Sequence, residues 1–171
     1  MQVDGKDIRT IWLDRDERIV KIIDQRKLPH EFVITDLKTV DDAIMAIKEM
    51  YVRGAPLIGA TGAYGMYLAA LNSADNQTDD DYLQKEAARL KSARPTAVNL
   101  AWGVDKVLAA ILTASNPAQK ISLAKQAAGD ITEQEVENCR KIGEHGMTLI
   151  YLCSREKKGE TVNVLTHCNA G

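Results

Sequence analysis

Cysteine is scarce in this chain of 171 residues: there are three, an odd number, and none in a Cys-x-x-Cys spacing. That argues against a disulfide framework and fits a reducing compartment, so a cytoplasmic location is expected. Histidine is equally scarce, and its three copies are not spaced as paired ligands, so neither a metal nor another cofactor is expected. No apolar run reaches the length that spans a bilayer, and no membrane segment is expected. The polar opening MQVDGKDIRT lacks the apolar core of a secretory signal. Excess charge of one sign is missing as well. A net charge of −2 leaves no electrostatic footprint for nucleic acid or an anionic membrane, and neither is an expected partner.

What is present describes a globular chain, with 45% hydrophobic and 27% charged residues, enough to bury a real core. DIRTIWL and RIVKIID, separated by the turn-like DRDE, predict a β-hairpin, and EFVIT a third strand. From there to about residue 154 the periodicity is helical, predicting five or six helices. TVDDAIMAIKEMY places apolar residues at helical spacing behind Thr39, a good N-cap. ADNQTDDD reads as a solvated loop. Helices are expected at 80–92, 97–114 and 117–129, the last two divided by SNPA. A final helix is expected to open with Thr132 and Glu135 spaced as a capping box. Its apolar face would bury Cys139 and Cys153 as core thiols. TVNVL then reads as a strand of a parallel sheet whose neighbours do not follow.

The segment YVRGAPLIGATGAYGMYLA, residues 51–69, sets a physical problem. It is apolar and bounded like a helix, yet Gly59, Gly62 and Gly65 oppose that helix by roughly 3 kcal/mol together. Close helix packing would offset the cost. At its start Arg53 lies three residues before Pro56, with Gly54 and Ala55 keeping side chains out of the way. First-turn N–H groups have no intrahelical partner, and the helix dipole adds positive potential, so this is a workable phosphate cradle. It is neither a Walker A loop nor GxGxxG, so nucleotide binding does not follow. The plainer reading is a surface arginine before a well-capped helix. ARPTAVNLAWG repeats the arrangement, with Arg94 and Pro95 ahead of Thr96 as a predicted N-cap. Two such arginines could converge on one anion, or Arg94 could simply pair with a surface carboxylate.

Cys168 differs from the other cysteines because it follows the predicted strand, in the turn HCNAG. Ligands in open α/β folds bind at the carboxyl ends of strands, and a thiol there can act as nucleophile or proton-transfer acid. A core or inert thiol is the other possibility. His167 is adjacent, but neighbouring side chains on an extended segment point apart.

Taken together, TIWL, IIDQRKLP, MYVRGAPLIGATGAYGMYLA, RPTAVNLAW, IGEHG and LTHCNAG resemble one family, the methylthioribose-1-phosphate isomerases. These sit within the wider group related to the alpha, beta and delta subunits of translation initiation factor 2B. Family members are longer, so the resemblance covers only their N-terminal half. It implies an α+β fold with an N-terminal β-hairpin or meander over residues 1–35 and a helical domain over 36–158. Residues 159–171 would be the first strand and catalytic loop of a truncated Rossmann-like domain. It further implies an aldose–ketose isomerisation, 5-methylthioribose 1-phosphate to 5-methylthioribulose 1-phosphate, in methionine salvage, with homodimers for the full-length proteins. The catalytic cysteine maps onto Cys168, and the partner aspartate belongs to the absent half. Arg53, Gly54, Ala55 and Arg94 map onto the substrate-phosphate contacts. Initiation-factor-like regulatory subunits share the resemblance, and both arginines and THCNAG favour the enzyme over them; a ribose-1,5-bisphosphate isomerase shares the chemistry and is told apart by contacts to the sugar's C5. The fragment alone is expected to be inactive.

Overall fold

The computed structural model describes residues 2–3 and 5–167. Two short strands, β1 (Gln2–Val3) and β2 (Lys6–Asp7), pair antiparallel. The expected hairpin follows as β3 (Ile11–Leu13) and β4 (Val20–Ile23), in a register that sets Ile11 opposite Ile22. The third strand, β5 (Ile34–Leu37), begins three residues later than EFVIT suggests and pairs antiparallel with β4. Val20 and Ile22 turn one face of this sheet into the core. On the other face Lys21, between them, reaches Asp36 at 2.7 Å and Asp14 at 3.4 Å. From Val20 to Ile22 this is the alternation of a half-buried antiparallel sheet, and Ile23 at the strand's end is buried as well.

Five helices follow among the described residues: α1 (Val40–Lys48), α2 (Ala55–Asn76), α3 (Asp80–Ser92), α4 (Val98–Leu112) and α5 (Pro117–Glu156). The Thr39 hydroxyl accepts from the Asp42 N–H while the Asp42 carboxylate accepts from the Thr39 N–H, so α1 opens with a full capping box. α2 is the axis of the bundle, packed against all four other helices, and residues 57–71 are buried without exception. A helix apolar on every side can be stable in water only in such a position.

Its glycines make that position possible. A Cβ on Gly59 would lie 2.9 Å from the Asn99 carbonyl oxygen, and one on Gly103 would lie 2.6 Å from the Gly59 carbonyl oxygen. Both obstacles are backbone, so the α2–α4 crossing is closed to any side chain there. Gly62 lies against the side chains of Leu100 and Val104 of α4, and Gly65 against the side chain of Leu90 of α3.

Several expectations need correction. The acidic stretch is not a free loop: α2 runs to Asn76, and Asp79 caps α3 by accepting from the Tyr82 N–H. Asp75 pairs with Arg18, and Asp80 with Lys120. The two helices expected after SNPA are one helix of 40 residues, α5, capped by Asn116. Thr132 lies inside it, its hydroxyl donating to the Ala128 carbonyl, because a Thr-x-x-Glu spacing also fits a helix interior. Gly129 costs only about 1 kcal/mol there, too little to break the helix.

Cys139 and Cys153 are exposed, not core thiols. The buried positions described for α5 are Ala124, Ala128 and Ile131; beyond them its apolar face stays open, with Ile142 71% and Leu149 65% exposed. Helical spacing identifies a face but does not supply a partner for it. Residues 161–167 likewise form no strand, and Leu165 is 98% exposed. A strand needs a ladder, and no other described segment pairs with this run.

Candidate anion-binding site at two helix starts

The chain leaves α1 through Met50, in left-handed conformation at φ 60°, and turns back so that the Tyr51 N–H bonds the Ala46 carbonyl at 2.9 Å. Val52 is fully buried and anchors the segment. Arg53 follows, half-buried, with Nη2 donating to the Gln25 carbonyl at 3.0 Å. Gly54 then takes φ 92°, ψ 135°, a conformation that any L side chain would strain. Because Gly54 is the N-cap of α2 and has no side chain, no side-chain oxygen caps the helix. Pro56 has no N–H and the Ile58 N–H returns to Gly54, which leaves the N–H groups of Ala55 and Leu57 beyond the reach of the helix's own carbonyls. Ala55 and Pro56 are exposed.

α4 starts in the same way. The Arg94 carbonyl accepts from the Ala97 N–H at 3.0 Å, closing a turn through Pro95 and Thr96. Thr96 is not the N-cap. That position falls to Ala97, which offers no side-chain hydrogen bond. The extended backbone of an N-cap comes one residue later than expected, and the threonine is left exposed. The contrast is consistent across the described helices. α1, α3 and α5 are capped by Thr39, Asp79 and Asn116, whereas the two helices led by arginine have bare N-termini.

These two starts lie together. The backbone contact of Gly59 with Asn99 and Gly103 lies about 6 Å along the axis from the first residue of α2, and Asn99 is the second residue of α4. The positive ends of two helix dipoles are therefore neighbours, and a negative group between them would gain from both. Arg53, Gly54 and Ala55 enter one start and Arg94 the other.

A loop missed in the sequence borders Arg53. Asp24, 3% exposed, accepts from the Arg26 N–H at 3.0 Å, from Nε at 2.9 Å and from Nη2 at 2.7 Å. The Arg26 guanidinium in turn lies 3.4 Å from the centroid of the Tyr51 ring. This fork holds the Asp24 carboxyl below the usual carboxylate range. Only an Asp-x-Arg spacing in IIDQRKLP signals it, and that spacing cannot reveal Tyr51. A cleft of about 240 Å³ opens along the first turns of α2, lined by Ile11, Pro56, Leu57, Ala60, Val136 and Cys139. Cys168 lies outside the described residues, so its placement relative to these groups is not part of this geometry.

Residues 51–171 match the model of the initiation factor 2 subunit family. The chain belongs to that family. Among curated relatives it is 56% identical, over 163 residues, to the methylthioribose-1-phosphate isomerase of Desulfosudis oleivorans, covering 95% of this chain and 44% of that protein. It is 55% identical to the enzyme of the same name from Desulfatibacillum aliphaticivorans, over all of this chain and 47% of that one. Two solved structures share the family fold. One is 5-methylthioribose 1-phosphate isomerase from Pyrococcus horikoshii, with TM-score 0.76 and 32% identity over 85% of this chain and 41% of that chain. The other is the initiation factor eIF-2B delta subunit from A. fulgidus, with TM-score 0.75 and 38% identity over 84% and 42%. The chain thus spans about half the length of these family members. The chain has the α+β architecture that the resemblance implies.

Proposed function

We propose that this chain is the N-terminal portion of a cytoplasmic aldose–ketose isomerase that converts 5-methylthioribose 1-phosphate to 5-methylthioribulose 1-phosphate. The observation that carries the reading is the pairing of two bare helix starts, each entered through an arginine, at a backbone contact that only glycine permits. A sugar phosphate places a dianion on such a site. Arg53 and Arg94 would grip its oxygens, while Gly54 and Ala55 would let them approach backbone N–H groups. The relatives named methylthioribose-1-phosphate isomerase select this substrate among sugar phosphates.

Phosphate on the anomeric oxygen prevents ring opening through a free hemiacetal. Catalysis must protonate and deprotonate around C1 and C2 while the phosphate stays attached, so an acid and a base must both be held on the sugar. Cys168 would supply one of them. The second, an aspartate, would come from the further half that relatives possess. A regulatory subunit of the initiation-factor kind is the second reading, favoured by the 38% identity to the A. fulgidus protein.

Titration calorimetry with 5-methylthioribose 1-phosphate separates the two. An isomerase portion should bind it, and Arg53→Gln or Arg94→Gln should each weaken binding about 10-fold to 100-fold, the value of a hydrogen bond to a charged group. A regulatory subunit should show no such dependence.

A further inference from the structure

Arg53 is held by a backbone carbonyl whose neighbours in sequence include a second arginine. Its Nη2 donates to the Gln25 carbonyl at 3.0 Å, and the Gln25 N–H donates to the Tyr51 carbonyl at 2.9 Å, so Gln25 bridges both ends of the segment that delivers Arg53 to α2. Gln25 itself has Asp24 on one side and Arg26 on the other. Asp24 is tied down by its own N–H to the Val33 carbonyl at 2.9 Å, and its carbonyl accepts from the Lys27 N–H at 3.2 Å. Its carboxylate, almost fully buried, is forked by Arg26. The same guanidinium stacks on the Tyr51 ring, two residues before Arg53.

The arrangement spans two chain segments that share no strand pairing, 24–26 and 51–53. Its members fall at both ends: the fork at one, the ring at the other, and the Gln25 carbonyl between. A planar guanidinium recognises phosphate through fixed in-plane donors, so its usefulness depends on the orientation of that plane. Fixing Nη2 on a carbonyl that is itself fixed sets the plane before a ligand arrives. Such preorganisation improves affinity by lowering the ordering cost of binding.

We propose that Arg26, gripped by Asp24 and stacked on Tyr51, is a positioning residue that orients the Arg53 guanidinium for phosphate through the Gln25 carbonyl. The claim rests on the reading of Arg53 as a phosphate ligand. Arg26 touches no substrate in this scheme. It differs from an ordinary surface ion pair in acting across the 24–26 and 51–53 segments.

The test uses the 171-residue chain labelled with 15N, with inorganic phosphate as the probe. The Nε–Hε signals of Arg53 and Arg94 are assigned from Arg53→Lys and Arg94→Lys. Arg26→Lys keeps the charge but loses the fork, and Tyr51→Leu keeps apolar bulk but loses the stacking face. Both should accelerate exchange of the Arg53 Nε–H and weaken phosphate binding about two- to five-fold, the scale of an exposed cation–π contact. The Arg94 signal should barely move, which a general loss of structure would not allow, while Arg26→Lys should lower the melting temperature because the buried Asp24 carboxylate loses its fork. Tyr51→Phe, which restores the ring face, should behave as wild type. The proposal is overturned if Arg53 exchange is unchanged in Arg26→Lys and Tyr51→Leu, a readout that needs no bound phosphate. If instead Arg53→Gln leaves phosphate affinity unchanged while Arg26→Lys still frees the Arg53 Nε–H, the phosphate reading fails and the positioning contact stands.

Discussion

At the scale of single residues, Gly103 and Asp24 make the sharpest predictions. A Cβ on Gly103 would meet the Gly59 carbonyl oxygen at 2.6 Å, and a backbone oxygen cannot step aside as a side chain can. Gly103→Ala should therefore separate α2 from α4 and cost about 1–3 kcal/mol, the range for overpacking, read as a drop in thermal stability. Because the same contact aligns the two helix starts, sugar-phosphate affinity should fall with it. Gly129, which meets nothing within 4 Å, is the control: Gly129→Ala should stabilise α5 by up to about 1 kcal/mol.

Asp24 supplies a pH dependence. Hydrogen bonds from Arg26 hold its carboxyl below 3.8, so its contribution to stability is present above that unfolded value and is lost as pH falls through the lower folded one. Acid titration should show stability declining below about pH 4, with the native state taking up its proton late. Asp24→Asn should be less stable at neutral pH and should lose stability less steeply on acidification. An unchanged acid slope would mean the fork contributes nothing.

At the scale of elements, the caps sort the helices into two kinds. Thr39→Ala should cost about 1 kcal/mol, because it removes a capping box, whereas Thr96→Ala should stay within about 0.5 kcal/mol, because Thr96 bonds no helix N–H. The cap of α1 was legible because Thr39 and Asp42 are three residues apart and act locally. The bare start of α4 was not, since a threonine before a helix looks the same whether or not the backbone turns one residue later. For α5, periodicity located an apolar face over Val136, Cys139 and Ile142 but could not say that this face stays exposed, edging a cleft at Val136 and Cys139 and open at Ile142. Cys139 and Cys153 should accordingly react with thiol reagents at the rate of exposed thiols, resolved from Cys168 by peptide mass spectrometry. Slow labelling of either would show that the face is covered in solution.

At the scale of the whole molecule, the centre of the bundle was the most readable part. An apolar helix carrying three glycines at steps of three has to lie at the middle of something close-packed, and α2 does. What pattern could not reach was pairing at a distance. The apolar run 161–167 looks like a strand wherever it is placed, but a ladder requires a second segment. The clamp on Arg53 joins residues 24–26 to residues 51–53, and no local spacing encodes it. Arg53 and Arg94 were legible as arginines ahead of two helices, while the contact of Gly59 with Asn99 and Gly103 that joins α2 to α4 came only from the fold.

The 171 residues by themselves should not turn over 5-methylthioribose 1-phosphate. Cys168 provides at most one of the two proton-transfer groups, and positioning of the reacting centre is worth about 7–11 kcal/mol of barrier. Turnover abolished by Cys168→Ser would contradict this.

The central claim is that two helix starts form one phosphate site, and a crystal structure of the chain with 5-methylthioribose 1-phosphate tests it most directly. The account predicts phosphate oxygens about 2.7–2.9 Å from guanidinium nitrogens of both Arg53 and Arg94, with backbone N–H groups at the start of α2 facing the same anion. Phosphate held elsewhere, or on one arginine with the other turned away, would contradict it.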